Sequence, residues 1–195
     1  MDIINYIQEI SQIEKIIDCS SNQSVLEKEI LKIEEYLSQK MPNETIMILK
    51  KFQGCSFKDN VIFKIKNKIP ILGNSKFLDF GIFLTLSNSH CQIYDILINN
   101  EDLFKKRFIP IIEATPGDYI AQDIITMNVY FISHDFKYPK EKGIYKIAKS
   151  LKDYLLNLRI SLEDDNQDLK SSIITNVHYS DKLLKIMANY KKKNH

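Results

Sequence analysis

The sequence predicts an α+β fold: a mainly antiparallel sheet of about five to six strands, flanked by N- and C-terminal helices. Three observations predict it. Apolar residues recur at helical spacing near both ends of the chain, short β-prone runs fill the middle, and the connectors between the later runs are short enough for hairpins.

Ile3, Ile7, Ile10, Ile13 and Ile17 form one apolar stripe, which predicts a helix reaching the polar break Ser20-Ser21-Asn22-Gln23. Ser24 with Glu27 three residues on has capping-box spacing, and Leu26, Ile30, Ile33 and Leu37 carry the next helix. Pro42 closes it, since the residue before a proline is pushed out of helical space. A short helix follows, with Asn43 as N-cap, Ile46, Leu49 and Phe52 on one side, and Gly54 as the stop.

From there the texture is β-prone. Strands are expected at 61–65, 81–86, 92–98, 108–112, 119–125 and 128–132. Asn99-Asn100 caps a helical turn from Glu101 to Lys106 between two of them, and Thr115-Pro116-Gly117-Asp118 and Thr126-Met127 supply hairpin connections. A last clear helix starts at Ser150, with Asp153 as its box-like acid and Leu151, Leu155, Leu158 and Leu162 as its apolar face. The acidic run Glu163 to Asp168 reads as a linker, and Leu183, Leu184 and Met187 fit a final helix before the Lys191-Lys192-Lys193 tail.

Composition narrows function by exclusion. A hydrophobic share of 44% supplies a real core. A net charge of +2 with 27% charged residues argues against a dedicated nucleic-acid binder, whose domain should be clearly basic. Charge is laid out in blocks: seven lysines between Lys50 and Lys76 face only Asp59, and acids then dominate from Asp79 to Asp135. Such blocks are read first as solvated faces, and second as complementarity to a partner. Cys19, Cys55 and Cys91 form no C-x-x-C pair, and the odd count fits a reducing compartment. No apolar run reaches the roughly 20 residues of a membrane span, and Met1-Asp2-Ile3 lacks a basic signal region, so a cytoplasmic location is expected.

Catalytic signatures are missing. There is no G-x-S-x-G, no phosphate loop, no H-E-x-x-H, and His90, His134, His178 and His195 are dispersed. His134-Asp135 with Asp118 or Asp123 is the one weak metal-like grouping, and a histidine at a strand end is more often an ordinary hydrogen-bonding residue. Neither a catalytic residue, a metal nor a cofactor is expected.

The order of the pieces carries a resemblance. Met41-Pro42-Asn43-Glu44 and Lys51-Phe52-Gln53-Gly54, then Phe108-Ile109-Pro110-Ile111-Ile112 with Gly117-Asp118-Tyr119-Ile120, then Asn128 to Asp135, and finally Ser150-Leu151-Lys152-Asp153-Tyr154-Leu155 succeed one another at compatible spacing. Together they resemble the SMI1/KNR4 (SUKH) superfamily over roughly residues 26 to 160. Met41, Gln53, Asn128 and Leu151 depart from that family's usual Leu, Asn, Gly and Phe. The resemblance divides the chain into an N-terminal helical extension (1–23), an SMI1/KNR4-like domain (24–162), and an acidic linker with a C-terminal helix and basic tail (163–195).

What the resemblance implies is a sheet wrapped by helices that binds a protein and catalyses nothing. Bacterial members are regarded as immunity proteins that neutralise a toxin, often a nuclease, of a polymorphic or contact-dependent system; eukaryotic relatives are regulatory scaffolds, which is the alternative function. If the toxin has a basic nuclease cleft, Asp79, Asp95, Asp118, Tyr119, Asp123 and Asp135 are the candidate partner-binding residues, each with turn formation or solubility as its plainer explanation. No direct nucleic-acid or membrane contact is expected. A hydrolase remains as a third reading only where His134 and nearby acids converge in a pocket.

Overall fold

The computed structural model describes residues 2–17, 23–87, 91–134 and 143–162. The Asp2 carboxylate caps helix α1 (Ile3–Ile10) by accepting from the Ile4 N–H, and Ile3 and Ile7 turn into the core. The expected helix through Ile17 stops there. Ser11 has extended backbone, and its hydroxyl donates to Asp59 Oδ2 while accepting from the Asp59 N–H. That competing set of hydrogen bonds ends the helix, and Ile13–Lys15 becomes strand β1 instead.

Helix α2 (Gln23–Leu37) buries the predicted stripe of Leu26, Ile30, Ile33 and Leu37. Helix α3 (Asn43–Phe52) starts one residue early, with Pro42 rather than Asn43 at the N-cap, and buries Ile48, Leu49 and Phe52. Gly54, at φ +69°, then turns the chain into β2 (Cys55–Phe57), which pairs antiparallel with β1.

Strand β3 (Val61–Lys64) is followed by a loop holding a 3-10 turn, Pro70–Leu72, and by β4 (Phe77–Asp79) and β5 (Ile82–Phe83). Between β4 and β5 the chain passes from one sheet to another at Gly81. A Cβ there would lie 2.0 Å from the Glu113 carbonyl oxygen and 2.7 Å from that of Ala114, so only glycine fits.

The run expected as a strand at 92–98 is helix α4 (Ile93–Asn99). Its buried residues, Ile93, Ile96 and Leu97, stand three and four apart, so helical period outweighs β-branched content. One more turn of helix, α5 (Glu101–Phe104), leads to β6 (Phe108–Thr115), β7 (Asp118–Asp123) and β8 (Val129–Ile132). Strand β9 (Ile144–Ala148) precedes helix α6 (Leu151–Leu155), capped as expected: the Ser150 hydroxyl accepts from the Asp153 N–H, and Asp153 Oδ2 from the Lys149 N–H. The expected continuation through Leu158 and Leu162 fails, because Leu158–Ile160 is strand β10, hydrogen-bonded to β3. The C-terminal helix expected around Leu183 lies outside the described residues.

The α+β class is thus observed. Among the described residues the strands form a five-stranded sheet in the order β5-β6-β7-β8-β9, a three-stranded sheet β10-β3-β4, and the β1-β2 pair, all antiparallel. The core lies between sheets and helices. Ile33, Ile48, Leu49, Ile109, Ile120, Leu151 and Tyr154 are fully buried in it, and Phe52, Phe57, Phe80 and Phe83 pack ring against ring at centroid distances of 4.8–5.5 Å. α1 belongs to the same core: Ile7 is fully buried, and the Tyr6 hydroxyl donates to the Leu158 carbonyl at 2.9 Å. Truncating such residues to alanine costs about 2–5 kcal/mol.

Candidate functional site

Where the two larger sheets meet, the 3-10 loop roofs a cleft of ≈ 370 Å³. Asp79 enters it from the end of β4, Asp118 and Thr115 from the β6–β7 hairpin, and Leu72, Ser75 and Phe131 complete the walls. Two of the sequence candidates, Asp79 and Asp118, are therefore brought together by strands of different sheets.

Each is placed by local chemistry. The hairpin pairs Thr115 with Asp118 around Pro116-Gly117, and Gly117 takes φ +85°. A Cβ on Gly117 would also meet the His134 ring at 2.8 Å, so a side chain there would have to push that half-exposed ring aside. Asp118 does more than turn the chain. Its Oδ1 accepts from the Ser133 hydroxyl at 2.7 Å and the His134 N–H at 3.1 Å, with His134 Nδ1 at 3.0 Å, and its Oδ2 accepts from the Thr115 hydroxyl. These bonds tie the hairpin tip to the end of β8. Glu113 supports the tip from behind by accepting the Gly117 N–H at 3.1 Å.

Asp79 is placed differently. It pairs with Ile62 across the β3–β4 ladder, and its Oδ1 is buried with no hydrogen-bond partner among the described residues. Burial pushes its carboxyl above the usual range. An acceptor held in this way favours an incoming donor, because a partner's hydrogen bond would offset desolvation already imposed by the fold.

The remaining candidates are elsewhere. Tyr119 is buried beside Phe104 with ring centroids 5.5 Å apart, and burial pushes its hydroxyl up to about 12. Asp123 has a fully buried side chain that accepts from Arg107 at 2.6 and 3.1 Å, from the Thr126 hydroxyl at 2.6 Å, and from the Ile125 and Thr126 N–H groups. Burial alone would raise its pKa, but these donors together hold the carboxyl well below the usual range. Asp95 is exposed on α4, and Asp135 lies outside the described residues.

His134 and Asp118 do meet, whereas Asp123 sits at the far end of β7. His134 also lines a second hollow of ≈ 490 Å³ with Asn100, Glu101 and Asp102. Glu101 and Asp102 are not among the sequence candidates; their signals are the acidic block from Asp79 to Asp135 and the helical turn that follows Asn100. Among the described residues no group of three His, Cys, Asp or Glu side chains is placed to hold a metal ion.

A family model described as the SMI1 / KNR4 family (SUKH-1) matches residues 24–157. The chain belongs to this family. No curated protein matches it. Within this SMI1 / KNR4 member the match spans α2 through α6, so both walls of the cleft lie in the family region, whereas α1, β1 and β10 fall outside it. No helix among the described residues is long and apolar enough to cross a membrane.

Proposed function

We infer that this SMI1 / KNR4 member is an immunity protein, which binds a cognate bacterial protein toxin and neutralises it sterically, without chemistry of its own. The observation that carries this reading is the cleft uniting Asp79 and Asp118. Two carboxylates from separate sheets at one concave mouth suit a cationic side chain of a partner, and they would occupy the place of substrate phosphates in a nuclease toxin's basic cleft. Complexes of this kind bury on the order of 1,600 Å² and depend on a few central anchors. The binding unit in this proposal is the domain at 24–162, acting in the cytoplasm.

The test is growth of a strain producing the toxin domain encoded beside this gene, with and without this chain. Protection is expected from the native chain, and its loss from Asp79→Asn combined with Asp118→Asn. A soluble, folded chain that gives no protection sinks the immunity reading in favour of a regulatory scaffold. His134→Gln addresses the hydrolase alternative: steric neutralisation survives this change, whereas acid–base chemistry at His134 does not.

A further inference from the structure

Across the 3-10 loop from the acidic cleft lies a trough lined by lysine. Its larger part, ≈ 700 Å³, is lined by Lys64, Lys66, Lys68 and Lys76 with Asn74. A smaller part, ≈ 210 Å³, adds Lys146 and Lys149 and shares Ile65, Lys66 and Asn67 with the first, so the two are continuous. All six lysines are exposed, and none forms an ion pair with another described residue. The acid in the trough is Asp153, whose Oδ2 already accepts from the Lys149 N–H and whose Oδ1 accepts from the Asn157 amide.

Like charges gathered in a concavity repel one another, and they raise a positive potential that an anion relieves. The shape decides which anion. Strand β9 ends the five-stranded sheet, and among the described residues no strand covers its outer edge. Its residues Lys146 to Ala148 line the trough, so the edge strand and the ammonium groups face the same furrow. Single-stranded nucleic acid calls for aromatic platforms or arginine forks. Both arginines of the chain are committed elsewhere, Arg107 to Asp123 and Arg159 over the Phe77 ring. A planar membrane surface cannot follow a furrow.

We propose that the trough takes an acidic, extended segment of a partner protein, laid along β9 with its carboxylates among the six lysines. The site is separate from the Asp79–Asp118 mouth and does not depend on the partner's being a toxin.

The test is fluorescence anisotropy on the full chain. The probes are a short labelled peptide alternating Glu and Ser, a Ser/Asn peptide of equal length, a thymidine oligonucleotide, and vesicles of phosphatidylserine with phosphatidylcholine. The Glu/Ser peptide should bind at low ionic strength and weaken as salt is added. Lys64→Gln, Lys66→Gln, Lys146→Gln and Lys149→Gln combined should weaken it about tenfold. Four lysines removed elsewhere (Lys28→Gln, Lys51→Gln, Lys58→Gln, Lys105→Gln) should change it by less than about twofold. Lys66→Gln alone, expected to cost about twofold, covers the case of an unstable quadruple variant. Equal losses in the two quadruple variants, no preference over the Ser/Asn peptide, or tighter binding of the oligonucleotide or the vesicles each overturns the proposal.

Discussion

At one end of β7 sits Asp118, on a hairpin tip and open to a cleft; at the other sits Asp123, wholly buried under Arg107 and Thr126. The two share a residue type, a strand and a neighbourhood of turns. Asp123 has every lone-pair direction filled from within, by a side-chain fork, a hydroxyl and two backbone N–H groups. Asp118 is also hydrogen-bonded, yet its side chain remains 16% exposed at the cleft's edge. The comparison teaches that an aspartate's role here is set by how completely the fold closes over it. Asp123, closed off completely, is a clasp; the exposure left at Asp118 leaves room for one more donor, which the proposed anchor role requires.

The sharpest way to break the comparison is to delete each carboxylate. Asp123→Ala should cost about 3 kcal/mol of stability in urea unfolding, since it strands buried donors, while the protein that remains folded binds its partner normally. Asp118→Asn, or Asp79→Asn across the cleft, should cost about 2 kcal/mol in partner affinity, roughly thirtyfold by calorimetry, with a smaller loss of stability at Asp118 from its bonds to Ser133 and His134. An Asp123 variant that is stable but loses binding would reverse the assignment.

Acid sharpens the same contrast. The folded pKa of Asp123 lies below its unfolded value of about 3.9, so its contribution is complete above that range and fades as pH falls beneath it. Asp79 has the opposite sign. Its folded pKa is raised, so its ionisation works against the fold at neutral pH and the cost disappears as pH falls through the folded value. Asp79→Asn should therefore leave the melting temperature at neutral pH unchanged or slightly higher, even as it weakens binding. A clear drop in melting temperature would show that Asp79 serves the fold first. Away from the cleft the effect is smallest. Tyr154 is fully buried with no partner for its hydroxyl among the described residues, so Tyr154→Phe should shift stability by under about 1 kcal/mol, in the stabilising direction.

Much of this was legible beforehand where local chemistry decides structure. The stripe of α2, the Ser150–Asp153 cap and the β6–β7–β8 hairpins follow from spacing and turn residues within a few positions. The failures occur where distant partners decide. Ile13 and Leu158 continue helical stripes in sequence, but β2 and β3 offer their backbones ladder bonds instead. β4, only three residues long, and β9, whose burial does not alternate along the strand, went unseen because each takes its strand identity from a neighbour. The cleft was only half legible. Asp79 and Asp118 could be named as acids, but their convergence depends on two sheets meeting, which no local spacing encodes.

The crossing at Gly81 gives the mouth its mechanics. The carbonyls of Glu113 and Ala114 sit where any side chain on residue 81 would go, two positions after Asp79 and on the strand that leads into the Asp118 hairpin. The walls approach backbone to backbone at their base, so Gly81→Ala should force them apart and weaken partner binding. On the proposed binding role, a partner would meet a mouth whose base is already set by this close approach, which lowers the ordering that opposes capture. Cognate and near-cognate partners should then arrive at similar rates and be told apart by how long they stay.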